Sequence, residues 1–387
     1  MHIVIAPDGF KECCTAVAVA DALAEGWRRV FPDADLRLVP MADGGEGTVE
    51  ALVTSTGGKR VTIRACGPLG DPVDAAYGIL GDGETAVIEM AATSGLSLVP
   101  LEKRNPAAAT TRGTGELIRH ALDSGVRRII VGIGGSATND GGAGMAQALG
   151  CRLLDAEGVD LPPGGEHLIR LERIDITERH PKLQDCEVLV ACDVDNPLCG
   201  PNGASYVYGP QKGADGVLIA KLDAALRRYG EVIEAQLGIP VLSVPGSGAA
   251  GGLGAGLLAF AGGRLRPGVE VVAEACGLAR HLEGADLVIT AEGRLDRQSI
   301  HGKTPVGVAR FAKVHGVPVL VVAGALGPGY HAVYACGVDA VCSICPGPMS
   351  LAEAIRETSG HLRDTAETLG RLWRLFRGAH TPMRNVR

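Results

Sequence analysis

Short apolar runs alternate with amphipathic stretches along most of the chain. Ile3-Val4-Ile5 within His2 to Ala6, Leu36 to Val39, Ile129 to Val131, Cys151 to Leu154, Val188 to Ala191, Asp286 to Thr290 and Val317 to Ala323 all have strand length and aliphatic or β-branched content. Between them an apolar spacing of three and four recurs. Thr15 is placed to cap a helix whose apolar face is Val17, Ala20, Ala24, Trp27 and Phe31. Ile219 to Leu237 aligns Leu222, Leu226, Tyr229, Ile233 and Leu237 in the same way. Glu116 to Ser124 and Leu351 to Leu369 read as further helices, and Thr304-Pro305 opens one that stops at Gly316. This alternation predicts an α/β fold. From Cys66 to Val99 the pattern changes to short runs broken by Gly-Pro, Gly-Asp and Asp-Gly turns, which predicts hairpins and a domain boundary near residue 66.

The polar positions fall where such folds bind ligands, just after strands. Asp8 and Lys11 follow the first strand, and Asp43, Gly44, Gly45 and Glu46 follow the second. Asp193 and Asp195 follow Val188 to Ala191, while Glu292 and Asp296 follow Asp286 to Thr290. The densest junction is Gly132 to Gly144, GIGGSATNDGGAG, between Ile129-Ile130-Val131 and a run of helix formers. Glycines let a backbone approach a ligand closely, and a helix start offers unpaired N–H groups to an anion. Gly134, Gly135, Ser136, Thr138 and Asn139 are therefore candidates for a phosphate. A tight turn, with Ser or Asp capping the following helix, accounts for the same residues equally well. Gly302-Lys303-Thr304 approaches a phosphate-binding P-loop, but Arg297 stands where that motif requires glycine, so Lys303 is retained only as a candidate phosphate contact.

Composition narrows the classes. The 387 residues suffice for two domains, and 46% hydrophobic with 3% aromatic content means cores of aliphatic side chains. A net charge of −7 without a basic, aromatic-interleaved stripe argues against nucleic acid, and the basic stretch from Arg371 to Arg387 reads as a solvated end. No apolar run approaches the ~20 residues of a membrane span, and the first residues read as a strand rather than an export signal. Eleven scattered cysteines suit reduced thiols, hence a cytoplasmic location.

The candidate chemistry is dominated by carboxylates, with lysines and glycine loops. No Gly-x-Ser-x-Gly elbow and no His-Glu-x-x-His is present. Phosphoryl transfer needs positioning, charge neutralisation and a carboxylate to accept the hydroxyl proton, which these groups supply. A rival reading takes Gly132 to Ala137 as G-x-G-x-x-A and Asp155 as a ribose-binding acid, implying a NAD-dependent hydroxy-acid dehydrogenase. A non-catalytic sugar-acid binding protein of two closing domains is a third.

Taken together, APDGFK (6–11), PMADGGEGT (40–48), GIGGSATNDGG (132–142), DVDNPLCGPNGAS (193–205), GPQKGA (209–214) and EGRLDRQSIHGKTP (292–305) resemble the bacterial class I glycerate kinases across nearly the whole chain. The resemblance implies ATP- and Mg²⁺-dependent phosphorylation of D-glycerate at the 2-hydroxyl, in the cleft between two domains of a monomer or homodimer. It implies a discontinuous, flavodoxin- or Rossmann-like parallel-sheet domain from 1–65 and 285–387, with a second α/β domain, 66–284, inserted. Expected catalytic residues are Lys11, Asp43, Asp193 and Asp195, the last two also as Mg²⁺ ligands. Gly134, Gly135, Ser136, Thr138, Asn139 and Lys303 are expected on the nucleotide, and Asp8, Gly44, Gly45, Glu46, Glu292 and Asp296 on the substrate. Gly9-Phe10-Lys11-Glu12 departs from the usual Ser-Phe-Lys-Gly, and Ala291 from a usual glycine.

Overall fold

A computed structural model describes residues 1–11, 13–300 and 302–379, with side chains as far as residue 376. Glu12 and residues 380–387 of the basic terminal stretch lie outside the described residues. The chain forms two compact units, Met1–Asp43 with Val272–Arg387, and Gly44–Val271.

The strands are β1 (His2–Ile5) and β2 (Asp35–Leu38) in the first unit. The second unit holds β3 (Lys59–Cys66), β4 (Pro72–Ile79), β5 (Thr85–Glu89), β6 (Arg128–Gly132), β7 (Arg152–Leu154), β8 (Arg173–Asp175), β9 (Glu187–Ala191) and β10 (Arg264–Arg266). The chain then returns to the first unit with β11 (Leu287–Leu295), β12 (Val319–Leu326) and β13 (Ala340–Ser343).

In the first unit the order is β13-β12-β11-β1-β2, and every pair is parallel. The chain winds outward from β1 in one direction to β2 and in the other to β11 and beyond. This is the flavodoxin-like doubly wound order, whose switch point lies between β1 and β11. Ile3, Ile5, Leu287, Ile289 and Val322 form the buried sheet layer. Against it pack Val19, Leu23 and Trp27 of helix Ala16–Arg28 and Leu362 and Ala366 of helix Thr358–Ala379. Thr15 caps the first of these helices by accepting from the Ala18 N–H, as its position predicts.

The second unit carries a six-stranded mixed sheet, β10-β9-β6-β5-β4-β3. β5, β6, β9 and β10 run parallel, while β3 and β4 form an antiparallel hairpin whose first arm precedes the Cys66 to Val99 stretch where hairpins were expected. The boundary is earlier than expected for a physical reason. β3 is the outer arm of that hairpin, so residues 59–65 pair within the second sheet instead of the first, and helix Thr48–Thr56 lies against the same hairpin, Val49 and Val53 flanking Gly78. At the other end, helix Leu278–Leu282 belongs with the first unit rather than with the insertion.

Candidate active site

At the switch point the backbone ladder continues past β1. Ala6 N–H donates to Ile289 and Asp8 N–H to Ala291, which sets Asp8 beside Glu292 in β11. Ala291, where a glycine was expected, is fully buried in this ladder. Asp8 accepts from the Gly9 N–H and from the Thr304 hydroxyl at the start of helix Thr304–Val314. Glu292 accepts from Lys303 Nζ at 3.3 Å, and the same ammonium also donates to the Arg294 carbonyl at 3.2 Å. Burial, then the negative charges of Asp43 and Glu292, push the Asp8 carboxyl up to about 8. Burial also raises Glu292, against the opposing charges of Lys303 and Lys11. Asp8, Asp43 and Glu292 thus act on one another as a trio of carboxyl groups with two lysines in attendance, Lys11 being exposed.

Asp296, expected on the substrate, and Lys303, expected on the nucleotide, are in this unit and are both bonded within it. Asp296 accepts from the Gln298 N–H at 2.9 Å and from Arg294 Nε at 3.2 Å, so it organises its own turn. Lys303, expected on a phosphate, is paired with a carboxylate.

The second unit holds the remaining candidates at the carboxyl ends of its parallel strands. The Gly44-Gly45 turn lies directly on them. A Cβ at Gly132 would meet the Gly44 carbonyl at 2.3 Å, and one on Gly44, at φ +87°, would meet Ala191 Cβ at 2.5 Å. Gly44 and Gly45 are therefore needed for close backbone approach. Glu46 is exposed. Near it is Glu89 at the end of β5, which sequence reasoning missed. Its Oε1 accepts from the Val49 N–H at 2.7 Å, supplying the cap that Gly47 cannot. Burial raises this carboxyl, with Glu46 adding to the effect. Asp193 and Asp195 are exposed, and one oxygen of Asp193 accepts from the Gly268 N–H at 2.8 Å.

The glycine loop after β6 divides into two parts. The later part is structural. Helix Ala143–Ala148 is only six residues long, and its first amides are already taken. Asp140, fully buried, accepts from Gly142, Gly144 and the Thr111 N–H and hydroxyl, and the Met145 N–H donates to Thr111 Oγ1. Thr138 and Asn139 are also fully buried, with Asn139 bonded to Ser205. The helix start is closed to an anion by a carboxylate of the chain itself, which is the capping alternative.

The earlier part is different. Gly134 and Gly135 are exposed, Gly135 at φ +73°, and among the described residues no acceptor takes the N–H groups of Gly134, Gly135 or Ser136. The turn is pinned on one side by Leu96 N–H to Gly135 and Ala137 N–H to Ser94. On the other, Lys212 Nζ donates to Ser136 Oγ at 2.7 Å and to the Thr138 carbonyl at 2.6 Å. Successive amides of this kind suit an oxyanion.

The dinucleotide reading fails on this geometry. β7, which ends at Leu154 just before Asp155, pairs with β8 in a separate antiparallel ribbon and not beside β6, and Asp155 caps its own turn through the Glu157 and Val159 N–H groups. A ribose-binding acid has to end the neighbouring parallel strand.

A sequence model described as the Glycerate kinase family matches residues 3–374. The chain belongs to that family. It is 54% identical over 367 residues to a glycerate kinase of Halalkalibacterium halodurans, covering 95% of this chain and 97% of that protein. Over 356 residues it is 54% identical to the glycerate 2-kinase of Escherichia coli, covering 92% and 93%. The crystal structure of a candidate glycerate kinase 2 from Salmonella typhimurium LT2 superposes with a TM-score of 0.90 at 51% identity, covering 98% of this chain and 99% of that one. Members of the family are kinases, so both the dehydrogenase and the non-catalytic binding protein lose their support. No helix among the described residues is long and apolar enough to cross a membrane.

Proposed function

We propose that the protein transfers the γ-phosphoryl group of ATP to the 2-hydroxyl of D-glycerate, giving 2-phosphoglycerate and ADP. The observation that carries this reading is the trio of carboxyl groups at the switch point, set beside two lysines in a chain of this family. The first unit is assigned to the acceptor. Lys11 and Lys303 offer charge to the glycerate carboxylate. Asp8 holds a proton at neutral pH and Glu292 is committed to Lys303, so Asp43 is assigned to take the proton of the attacking hydroxyl. That oxygen bonds to phosphorus as the bond to the ADP oxygen breaks.

The second unit is assigned to the nucleotide, with the amides of Gly134, Gly135 and Ser136 on a phosphate. Among the described residues no group of three or more His, Cys, Asp or Glu could hold a metal ion. Mg²⁺ in a kinase asks for less, one or two carboxylates plus phosphate oxygens and water, and the exposed pair Asp193 and Asp195 fits that demand. When bound there, the ion would neutralise phosphate charge. All eleven cysteines are free thiols, which supports a reducing, cytoplasmic setting. The name of the E. coli relative favours the 2-hydroxyl over the 3-hydroxyl.

The test is ³¹P NMR of the protein with ATP, Mg²⁺ and D-glycerate. A phosphomonoester identified as 2-phosphoglycerate is expected. 3-Phosphoglycerate would overturn the regiochemistry, and ATP left intact would overturn the reaction.

A further inference from the structure

Lys212 is a buried cation with no part in the reaction as drawn. It ends a short turn, Pro210–Lys212, fixed by Arg104 donating to the Gln211 carbonyl at 3.0 Å. Only 1% of Lys212 is exposed. Burying an ammonium is costly, and an apolar side chain of the same length would fill this space at less cost. Its position gives a reason to keep the charge. Both of its bonds go to the glycine loop, one to Ser136 and one to Thr138, on the far side from the contacts made by Ser94 and Leu96.

Drawn as an ammonium, donating to both Ser136 Oγ and the Thr138 carbonyl, Lys212 is donor only. Ser136 Oγ must therefore accept from Lys212, and its own proton is turned to another partner. Ser136 adjoins the amides of Gly134 and Gly135, which no described acceptor takes. An oxyanion at this turn would meet three backbone N–H groups and one hydroxyl polarised by the ammonium behind it.

We infer that Lys212 is a positioning residue for phosphate binding, fixing the Gly134–Ser136 turn and obliging the Ser136 hydroxyl to donate to the bound phosphate. Assigning that phosphate to ATP rests on the phosphoryl-transfer reading. Lys212 acts through Ser136 and touches no reacting atom.

The experiment uses the full chain with Lys212→Met, Ser136→Ala and the double substitution. ATP binding is measured by calorimetry, steady-state KM is measured for ATP and for D-glycerate, and melting curves report folding. A bond to a charged group is worth enough that Lys212→Met is expected to weaken ATP binding by about 10- to 100-fold, and Ser136→Ala by about 5-fold. The KM for glycerate should stay within about twofold, and the double variant should be no weaker than Lys212→Met, because that substitution already forfeits the Ser136 hydroxyl's contribution along with the Thr138 tether. A folded Lys212→Met with unchanged ATP binding overturns the inference. So do equal losses for ATP and glycerate, or additive losses in the double variant. Should Lys212→Met not fold, Ser136→Ala decides, and unchanged ATP binding there overturns it. Wild type that binds ATP yet makes no phosphoglycerate would sink the functional reading, and the binding arm would still judge Lys212.

Discussion

The two sheets handle the same task, offering chemistry at the carboxyl ends of parallel strands, by opposite means. The first sheet places charged side chains there. Asp8, Asp43 and Glu292 crowd one another, and Lys303 answers Glu292 directly. The second sheet places glycine and backbone amides after β6, with Glu89 spent on a cap and Asp193 and Asp195 exposed after β9, and Lys212 is buried behind the glycine loop. Topology accounts for part of the contrast. A doubly wound sheet opens a crevice at its switch point, where side chains from two strand ends converge. The second sheet's parallel strands run in chain order from β5 to β10 without such a reversal, and their ends are covered closely by the Gly44-Gly45 turn. Long side chains have no room under that turn. The proposed proton transfer is assigned to the first arrangement and the proposed phosphate binding to the second.

The sharpest way to break this division is to remove the proposed base. Asp43→Asn keeps the shape and removes the negative charge, so kcat is expected to fall by about 10²- to 10⁴-fold with the ATP dissociation constant within about threefold. Loss of ATP binding instead of turnover would mean that Asp43 serves the nucleotide, and the contrast between the sheets would collapse.

Asp193→Asn probes the second sheet's only proposed ionic task. Even outer partners of metal ligands are worth about 10- to 100-fold in affinity, so the Mg²⁺ concentration for half-maximal rate should rise by at least about tenfold. The Gly268 N–H keeps an acceptor in the amide, so the melting temperature should hold. A Mg²⁺ dependence identical to wild type would remove Asp193 from the metal.

Gly44→Ala tests whether the second sheet's strand ends are as tightly covered as the contrast requires. The new methyl meets Ala191 Cβ at 2.5 Å on a backbone at φ +87°, and a strained, overpacked site of this kind costs about 1–3 kcal/mol. Urea unfolding should show that loss, whereas a stability within about 0.3 kcal/mol of wild type would mean that the turn is loose.

What the sequence made legible follows the same line. Asp8, Asp43, Asp193 and Glu292 could be placed because each follows a clear apolar run, and a residue after a strand in an α/β fold is at the ligand-binding edge whatever its neighbours do. The burial of Thr138, Asn139 and Asp140 was not legible, since a polar run among glycines looks solvent-facing. Their burial comes from distant segments: Tyr229 lies so close over Gly141 that a Cβ there would meet its ring at 2.6 Å, and Ser205 holds Asn139. Lys212 was within a recognised motif yet had no assignable role, because its partner Ser136 is 76 residues away and nothing local connects them. Asp155 looked like a nucleotide-binding acid because strand order is not written in local pattern, and only pairing revealed β7 in its own ribbon.

The dependence of stability on pH carries the contrast further. Asp8 has its carboxyl raised from 3.8 to about 8, so between these values the folded state holds a proton that the unfolded state has lost. Stability from this group is complete below about 4 and declines as pH rises toward 8. Lys212 is lowered from 10.5 to about 7 by burial, with Asp140 opposing, so between about 7 and 10.5 the unfolded state holds the extra proton. Its contribution therefore rises with pH over that window and is lost as pH falls through 7. Asp8→Asn resembles the protonated acid and keeps an oxygen for Thr304, so urea midpoints from pH 5 to 8 should decline less steeply than in wild type. Lys212→Met should remove a rise between pH 7 and 10 and leave the lower window unchanged. Two variants whose curves run parallel to wild type in both windows would mean that neither group titrates there, and the opposed electrostatics of the two sheets would have no thermodynamic weight.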